Sequence, residues 1–420
     1  MQSNFSNKKK ILNDPVYGFI SIPDELIFDL IEHPWFQRLR RIKQLGLTHL
    51  VYPGALHTRF HHAIGAMHLM QQALGVLSSK DHQISQDERL AALVAILLHD
   101  IGHGPYSHTL ERVLAESLSH EELTLIFLIH FRKEFGGIFD LVIDIFSDKY
   151  PKKFLHQLVS SQLDTDRLDF LKRDSFFTGV SEGVINSDRI ITMMDVVNDN
   201  LVIEAKGIYS IEKFIVARRL MYWQVYLHKT VLSAEQMLMK IIHRAKFLSK
   251  NGSELFGTSP LIMFLKNDFD KEDFLMGSGI IGQFARLDDF DIFTAIKEWT
   301  TNDDKVLSIL CQSLVNRVLF RTEIRNTPIP EEEISQRKKH VAQYYSISAE
   351  DAAYFVIADV AQNSAYDPTH EGINIAFRDG RQLDITEVSD QLTADALAKT
   401  VKKYFICYPK APFVSWGISF

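Results

Sequence analysis

The stretch LAALVAILLHDIGHGPYSH, residues 90–108, decides the fold of this chain. It begins as an almost unbroken apolar run behind a capping box at residues 85–88, which predicts a buried helix. The helix is expected to stop near Ile101, because two glycines and a proline follow. His99 and Asp100 therefore end a buried helix, where polar side chains are costly unless they are paired or bind a metal ion.

Histidines are concentrated around this stretch. Of the 17 histidines in the chain, nine fall between His57 and His120, where an even spread would place fewer than three. Histidine is the commonest metal ligand and titrates near neutral pH. The concentration therefore indicates a chemical site.

The composition excludes several classes of protein. The chain has 420 residues, of which 46% are hydrophobic and 24% charged, as in soluble globular proteins. Its net charge of −7 argues against nucleic acid as the main partner. Two cysteines, Cys311 and Cys407, provide neither a disulfide framework nor a cysteine zinc site. The sequence has no signal-peptide pattern and no apolar run near the roughly 18 residues that cross a membrane, so we expect a cytoplasmic protein.

Periodicity predicts a mainly α-helical body with a small α+β C-terminal lobe. Helical patterns run from Asp24 to about residue 175, with a second capping box at 119–122, and again from Ile211 to Leu248. A β-hairpin is expected around residues 198–200. These patterns place a helical body at 1–330, with the chemical site within 50–175, and a separate lobe at 331–420.

The predicted lobe begins with a charged amphipathic helix and continues with short strands. Asp379-Gly380 is a strong hairpin turn signal between two of them. The predicted elements are the helix EEEISQRKKHVAQYY (331–345) and the strand-like runs YFVIADV (354–360), INIAF (373–377), LDITEV (383–388) and YFICYP (404–409).

Two imidazoles and two carboxylates stand out as candidate metal ligands: His62, the pair His99-Asp100, and Asp166. A mixed nitrogen and oxygen set suits Mn, Fe, Zn or Mg and leaves positions for water and substrate oxygens. A lone His-Asp dipeptide is more often a satisfied core histidine beside a helix-terminal aspartate. The surrounding histidines favour the metal site.

Further polar residues near these ligands suit phosphate chemistry. His103, His108 and His120 could contact phosphate oxygens or donate a proton to a leaving alkoxide. An oligophosphate also needs cations, although each candidate could equally be a solvated ion-pair partner. The candidate cations are Arg59, Arg167 and Arg218. Four histidines are expected to be supporting or surface residues: His57, His61, His68 and His82. Neither a Gly-rich phosphate loop nor a GxSxG motif occurs in the sequence.

Three strings resemble the HD-domain metal-dependent phosphohydrolases: RFHH (59–62), HDIGHGPYSH (99–108) and DTDRLDF (164–170). Among these enzymes the chain is most similar to the deoxynucleoside triphosphate (dNTP) triphosphohydrolases. The similarity follows family order and spacing from residue 10 to about 175, and continues more loosely to about 250. The resemblance implies a mostly helical fold and hydrolysis at the α-phosphorus, which releases a deoxynucleoside and intact tripolyphosphate.

The resemblance also implies roles for individual residues. It makes His62, His99, Asp100 and Asp166 the ligands of a divalent cation. The implied catalytic residues are His103, His108, His120 and Asp166, with His108 as the general acid. The implied phosphate contacts are Arg59, Arg167 and Arg218. The implied sugar and base contacts are Gln44, Leu45, Asp174 and Tyr226. Phe170 and Tyr222 line the same pocket but replace a tyrosine and a basic or histidine residue of close relatives, so selectivity for deoxyribose stays open.

Relatives of this kind form dimers or tetramers, and some bind an activating nucleotide. The resemblance places a candidate activator site near Lys10, Glu32, Gln37 and Arg40, where a solvated basic helix face is an equal alternative. We therefore expect a homo-oligomer that binds a nucleotide substrate. The alternatives for function are an HD phosphohydrolase that acts on another nucleotide or phosphoester, and a nucleotide-sensing protein.

Overall fold

The computed structural model describes residues 10–114, 118–276, 278–363, 366, 372–390 and 401–410. This part of the chain is mainly helical, with short sheets that lie mostly in its C-terminal third. The predicted fold class, a helical body with a small α+β lobe, is confirmed. In the described ranges, no helix is both long enough and apolar enough to cross a lipid bilayer.

The first segment forms an antiparallel hairpin, β1 (Ile11–Asp14) and β2 (Gly18–Ser21), followed by nine helices up to residue 178. The helical periodicity predicted from Asp24 to about residue 175 is thus confirmed. The helices are α1 (Glu25–Glu32), α2 (Pro34–Gln37), α3 (Arg59–Ser79), α4 (Gln86–Leu98), α5 (His108–Leu114), α6 (His120–Phe135), α7 (Ile138–Phe146), α8 (Lys153–Val159) and α9 (Thr165–Thr178).

Helix α4 is the buried helix predicted from the opening stretch, and its capping box is present. It ends at Leu98, three residues before the expected Ile101. The backbone of α6 crosses at this point, since a Cβ on Gly102 would lie 2.2 Å from the His120 carbonyl oxygen. The chain has to turn away from the helix axis before it reaches α6, so His99 and Asp100 sit in a turn rather than in the last helical turn.

Helices α3 and α9 pack closely at Gly65. A Cβ there would lie 2.1 Å from Asp169 Oδ1 and 2.2 Å from Arg173 Nη2. The missing side chain makes room for the polar face of α9 to reach α3. This close approach brings the candidate ligands on the two helices together.

The segment after α9 contains helix α10 (Ser187–Thr192) and the predicted hairpin, β3 (Met194–Val197) and β4 (Asn200–Glu204). Its two turn residues, 198 and 199, have φ angles of 51° and 60°, as a tight hairpin turn requires.

The predicted single helical tract from Ile211 to Leu248 is wrong in one respect, because two helices occupy it. They are α11 (Ile208–Met221) and α12 (Lys229–Lys250), separated by a π-helical turn at Tyr222–Tyr226. The turn closes where the Leu227 amide donates to the Tyr222 carbonyl at 2.7 Å. The His228 side chain then accepts from the Thr230 amide and starts α12 anew.

Five further helices complete the body: α13 (Ser259–Lys266), α14 (Lys271–Leu275), α15 (Ser278–Phe284), α16 (Asp289–Glu298) and α17 (Lys305–Val315). The short connection between α15 and α16 lies against the segments 38–43 and 101–106. It therefore touches the turn that carries the HDIGH motif.

The C-terminal third forms a three-stranded sheet in the order β5-β9-β6, and two further strands extend the hairpin sheet as β3-β4-β7-β8. The predicted charged helix is confirmed. The run 383–388 is a strand only in its first half, because Asp384 caps a short helix there. The elements are β5 (Arg321–Arg325), α18 (Glu331–Tyr345), β6 (Ile357–Asn363), β7 (Asn374–Ala376), β8 (Gln382–Asp384), α19 (Ile385–Val388) and β9 (Val401–Tyr408).

The two sheets contain strands from both sides of residue 330. Strand β5 precedes that position and pairs with β9, and β4 pairs with β7 in parallel. The lobe is thus joined to the body through backbone hydrogen bonds. The boundary at 330/331, as a division between independent domains, stays a prediction.

Candidate active site

Three candidate ligands converge from three helical segments: His62 in α3, His99 just after α4, and Asp166 in the first turn of α9. His62 Nε2 lies 3.0 Å from Asp166 Oδ1 and 3.3 Å from His99 Nε2. His99 Nε2 is 3.6 Å from the same Asp166 oxygen. The three side-chain atoms therefore form a compact triangle of metal-type donors.

The triangle fits a divalent cation. Ligand atoms about 2.1 Å from an ion and at right angles to each other lie about 3 Å apart, which is the spacing seen here. The Nδ1–H of His62 donates to Asp169 Oδ2 at 2.7 Å, and that of His99 donates to the Ile96 carbonyl at 2.7 Å. When both rings are neutral, the two Nε2 atoms therefore present lone pairs to each other, and a cation between them would take the place of a proton.

The electrostatics of the triangle also favour a cation. Burial opposes protonation of His62, but its hydrogen bonds to Asp166 and Asp169 raise the pKa of the ring to about 10. Burial likewise opposes ionisation of Asp166, yet His62 and His99 hold the pKa of that carboxyl far below its usual range. The two carboxylates thus favour a positive charge at the position of the His62 Nε2 atom.

Asp100, the fourth predicted ligand, lies at the edge of this triangle. Its two oxygens are 3.4 Å from His99 Nε2 and 3.6 Å from His62 Nε2. Arg59 donates to Asp100 Oδ2, and His103 Nε2 lies 3.3 Å from Oδ1. Burial raises the pKa of Asp100, but Arg59, His99 and His103 together hold it well below its usual range. Asp100 therefore links the candidate metal ligands to a second group of histidines.

Asp169 supports the triangle and was missed in the sequence. Besides His62 it accepts from Arg173 Nε and Nη2 at 2.9 and 3.0 Å, and Arg173 Nη1 donates to Asp14 Oδ2 at 2.7 Å. All four side chains are buried. The available signal was the spacing in α9, because Asp169 and Arg173 follow Asp166 at intervals of three and four residues.

Replacing Asp169 by asparagine should weaken metal binding about 10-fold to 100-fold, the usual effect of losing a carboxylate that orients a ligating histidine. The amide cannot match the charge that holds the His62 Nδ1 proton, so the Nε2 lone pair becomes less available. Titration of the metal-free protein with Mn²⁺ by calorimetry would measure the change. An unchanged affinity in a folded Asp169→Asn protein would contradict the assigned role.

A second cluster contains His103, His108, His120 and Glu111. Glu111 lies 3.1 Å from His108 Nδ1 and 3.0 Å from His120 Nδ1. The rings of His103 and His120 stack at 4.0 Å, with 17° between their planes. An ion lies close to the plane of each imidazole that binds it, so two stacked rings are poorly placed to share one ion. The arrangement fits hydrogen bonding and proton transfer better than a second metal.

Glu111 was also missed in the sequence, although it follows His108 by three residues on one helix. Burial opposes its ionisation, but hydrogen bonds from His108 and His120 hold the pKa of Glu111 far below its usual range. The carboxylate therefore stays charged and anchors both rings. The His108 side chain is 70% exposed, so its outer edge is open to solvent.

The three predicted phosphate-contacting arginines differ in their partners. Arg59 donates to Asp100 and to Ser107 Oγ, and Arg167 pairs with Asp164. Arg218 donates to the neutral Gln162 Oε1 at 3.1 Å, and its buried Nε has no hydrogen-bond partner. In the described ranges, no carboxylate lies within ion-pair distance of it.

Burial is the main cause that lowers the pKa of Arg218, and the positive charge of neighbouring Arg167 lowers it further. Three groups raise it: Tyr222, Asp164 and Asp166. Arg218 is thus a cation without an ion-pair partner in the described ranges, close enough to Asp166 to interact with it electrostatically.

The predicted sugar and base contacts include a group of side chains around Asp174. Asp174 accepts from Tyr226 Oη at 2.7 Å and from His57 Nε2 at 2.7 Å. The Phe170 and Tyr222 rings lie 6.2 and 5.0 Å from Tyr226. A separate loop contributes Gln44, whose buried Oε1 has no partner, and the half-buried Leu45. Contacts therefore join Asp174, Tyr226, Phe170 and Tyr222 to His57, which was expected only as a supporting residue. Gln44 joins the group through its amide, which donates to the His57 carbonyl at 3.0 Å.

The four residues of the candidate activator site lie around α1 and α2. Arg40 donates to Gln37 Oε1 at 2.8 Å and interacts with Glu32. The Lys10 ammonium lies 2.9 Å from the centroid of the Phe28 ring. The neighbouring Arg38 is completely buried, so the stretch QRLRRIK is not a uniformly solvated basic face.

Comparisons with known proteins agree with this geometry. A model described as "HD domain" matches residues 59–149, and one described as "HD associated region" matches 185–253. A crystal structure of a phosphohydrolase from Bacteroides thetaiotaomicron is 50% identical to the chain and has a TM-score of 0.92, covering 96% of this chain and 100% of that one. This chain therefore belongs to the HD-domain phosphohydrolase superfamily.

Other relatives place the chain within the superfamily. Uncharacterized protein YwfO of Bacillus subtilis is 34% identical over 368 residues, which cover 86% of this chain and 82% of the relative. The deoxynucleoside triphosphate triphosphohydrolase SAMHD1 homolog of Dictyostelium discoideum is 30% identical over 274 residues, or 60% of this chain and 53% of the relative. The chain thus lies near the dNTP triphosphohydrolases, and the suspected resemblance is confirmed.

Proposed function

We propose that this protein is a metal-dependent dNTP triphosphohydrolase that releases a deoxynucleoside and tripolyphosphate. One observation carries the proposal: the compact triangle of His62, His99 and Asp166 lies near Arg218, which has no ion-pair partner in the described ranges. A site built only to hold a metal ion would not need a half-buried arginine without a carboxylate partner, whereas a polyphosphate would neutralise it. The match to a named dNTP triphosphohydrolase supports the substrate class.

The residues that would hold the cation are His62, His99 and Asp166, with Asp100 as the fourth predicted ligand. The donor set suits Mn, Fe, Zn or Mg. A divalent cation bound there supplies Lewis-acid chemistry, which polarises phosphoryl oxygens and makes water a better nucleophile at neutral pH.

In this proposal the arginines bind the negative charge of the triphosphate. Arg218 is the main contact because its charge has no carboxylate partner in the described ranges. Arg167 and Arg59 would use the N–H groups that their partners, Asp164 and Asp100, leave free. Charge that develops on the phosphoryl oxygens in the transition state would be stabilised by donors already in place.

His108 is the proposed general acid. Its Nδ1 is bonded to Glu111, which leaves Nε2 on the exposed edge of the ring. With Nδ1 held by Glu111, Nε2 is the atom that would donate a proton to the 5′ oxygen of the departing nucleoside. His103 and His120 pack against His108 with ring centroids at 4.7 and 5.1 Å and keep its orientation.

The sugar and base would occupy the pocket of Gln44, Leu45, Asp174 and Tyr226. Tyr226 donates its proton to Asp174, so its oxygen and the unpartnered Gln44 Oε1 both offer acceptors to a ligand. Each of these acceptors suits one hydroxyl group of a sugar, which has a single O–H to donate. Phe170 and Tyr222 would form the apolar wall, and the hydroxyl that Phe170 lacks leaves the choice between ribose and deoxyribose to experiment.

Product analysis tests the proposal directly. Each common dNTP and NTP would be incubated with the purified protein and Mn²⁺ or Mg²⁺, and products would be separated by ion-exchange chromatography. We expect deoxynucleoside and tripolyphosphate in equal amounts. If the products are a nucleoside monophosphate and pyrophosphate, the nucleoside is not the leaving group and the proposed reaction is wrong. A preference for NTPs would favour the alternative function, an HD phosphohydrolase that acts on another nucleotide. The predicted homo-oligomer, activating nucleotide and cytoplasmic location stay predictions.

A further inference from the structure

The HDIGH turn continues into two residues with unusual backbone geometry. Tyr106 and Ser107 have φ angles of 54° and 53°. Residues with a Cβ adopt this left-handed region at a cost, and a bulky side chain such as tyrosine does so rarely. Such outliers persist only where surrounding contacts hold them, and they concentrate at functional sites. Helix α5 begins at the next residue, His108.

The contact that holds Tyr106 comes from Asp289, at the start of α16. Asp289 Oδ1 accepts from the Tyr106 amide at 2.8 Å, and Oδ2 accepts from the Lys43 amide at 2.9 Å. The Asp289 side chain is only 2% exposed. Ser107 is held separately, because Arg59 Nε donates to its Oγ at 2.7 Å. Each strained residue therefore has its own polar partner.

The segment 284–289, which we call the brace, supports the same turn at two further points. The ring of Phe284 packs on Gly104, 3.3 Å from the position that a Cβ would take. Buried Arg38 donates through Nη2 to the Ile101 and His103 carbonyls at 2.6 and 3.0 Å. Through Nη1 it reaches the carbonyls of residues 284 and 287 at 3.3 and 3.4 Å. The brace lies outside both matched ranges, 59–149 and 185–253.

We infer that Asp289 is a positioning residue for His108: by fixing the Tyr106 amide, it sets the direction in which α5 starts and so aims the His108 ring. The inference rests on the proposed function, in which His108 protonates the leaving group. Asp289 touches neither His108 nor the candidate ligands, so its loss should affect proton transfer and leave metal binding intact.

The test compares two substrates in the metal-loaded protein. For Asp289→Ala, kcat on the best nucleotide substrate should fall about 10-fold to 100-fold. This loss is smaller than the full rate enhancement of a general acid, because His108 is still present but poorly aimed. KM and bound metal, measured by elemental analysis, should change less than about twofold. With bis(p-nitrophenyl) phosphate and Mn²⁺ the loss should stay under about threefold, because p-nitrophenolate leaves without protonation. Asp289→Asn keeps one acceptor oxygen and should show an intermediate loss.

Asp288→Ala is the matched control. Asp288 caps α16 and pairs with Arg41, but it does not contact the turn. Its loss removes a helix cap and should leave kcat on both substrates within about twofold. Amide hydrogen exchange supplies a readout independent of turnover: exchange across residues 106–112 should accelerate in Asp289→Ala and not in Asp288→Ala.

Equal losses on both substrates, loss of metal, or unchanged exchange across 106–112 would overturn the inference. Failure of the proposed function has a different signature, since the wild-type protein would then produce no tripolyphosphate from any nucleotide. The exchange comparison would still decide in that case whether Asp289 holds the turn.

Discussion

Asp166→Ala should lose its bound divalent cation and at least about a thousandfold of its turnover, since both Lewis-acid catalysis and substrate orientation depend on the ion. Asp166 Oδ1 lies 3.0 Å from His62 Nε2 and 3.6 Å from His99 Nε2, so it supplies the anionic corner of the donor triangle. Alanine leaves two imidazoles and Asp100, a set with one anionic oxygen ligand fewer, which binds a hard cation more weakly.

Elemental analysis and steady-state rates on the same preparation measure this change. Asp195→Ala is the matched control, because Asp195 also accepts from a histidine, His82, at 2.6 Å, but on the β3–β4 hairpin. The control should keep its metal and its rate. Full metal content in Asp166→Ala would place the cation elsewhere and contradict the donor triangle.

Arg218→Met should lower kcat/KM for a nucleoside triphosphate about 100-fold to 1000-fold, the cost of removing one preorganised donor from a developing anion. Arg218 is expected to be this sensitive because it is half-buried and, in the described ranges, the side chain it donates to is the neutral Gln162. Methionine keeps most of the length and the apolar stem, so packing changes little.

Comparing a triphosphate with a substrate that carries less negative charge tests whether Arg218 binds the triphosphate. Bis(p-nitrophenyl) phosphate carries no β- or γ-phosphate, so its hydrolysis should fall less than about fivefold in Arg218→Met. Arg189→Met serves as the control arginine, since Arg189 lies on α10 and donates to the Lys206 carbonyl. An equal loss on both substrates would assign Arg218 to the structure of the pocket and not to the triphosphate.

The features that could be predicted from the sequence are those that depend on local sequence patterns or on the chemistry of metal ligands. The buried helix α4, both capping boxes and the hairpin at 198–199 follow from apolar runs, Ser-x-x-Glu spacing and turn residues. The donors His62, His99 and Asp166 could be predicted because buried polar side chains need a partner, because other histidines surround them, and because their motifs resemble those of the HD family.

The groups that hold the donors could not be predicted in the same way. Asp169 and Glu111 carried a weak signal in their helical spacing, but Asp289 lies more than 180 residues after the turn it holds. A backbone amide that needs a partner leaves no mark in the sequence, and any acidic residue along the chain could supply one. The break between α11 and α12 was missed for a similar reason, since a π-helical turn uses ordinary helix-forming residues.

Gly65 shows how the chemistry of the site limits which sequences the scaffold tolerates. The position lies within a helix, where alanine would normally be an improvement. Here a single methyl group would meet Asp169 Oδ1 at 2.1 Å and push away the carboxylate that orients His62. Natural variation at this apolar position should therefore be nearly absent among active relatives, although the residue never touches a ligand.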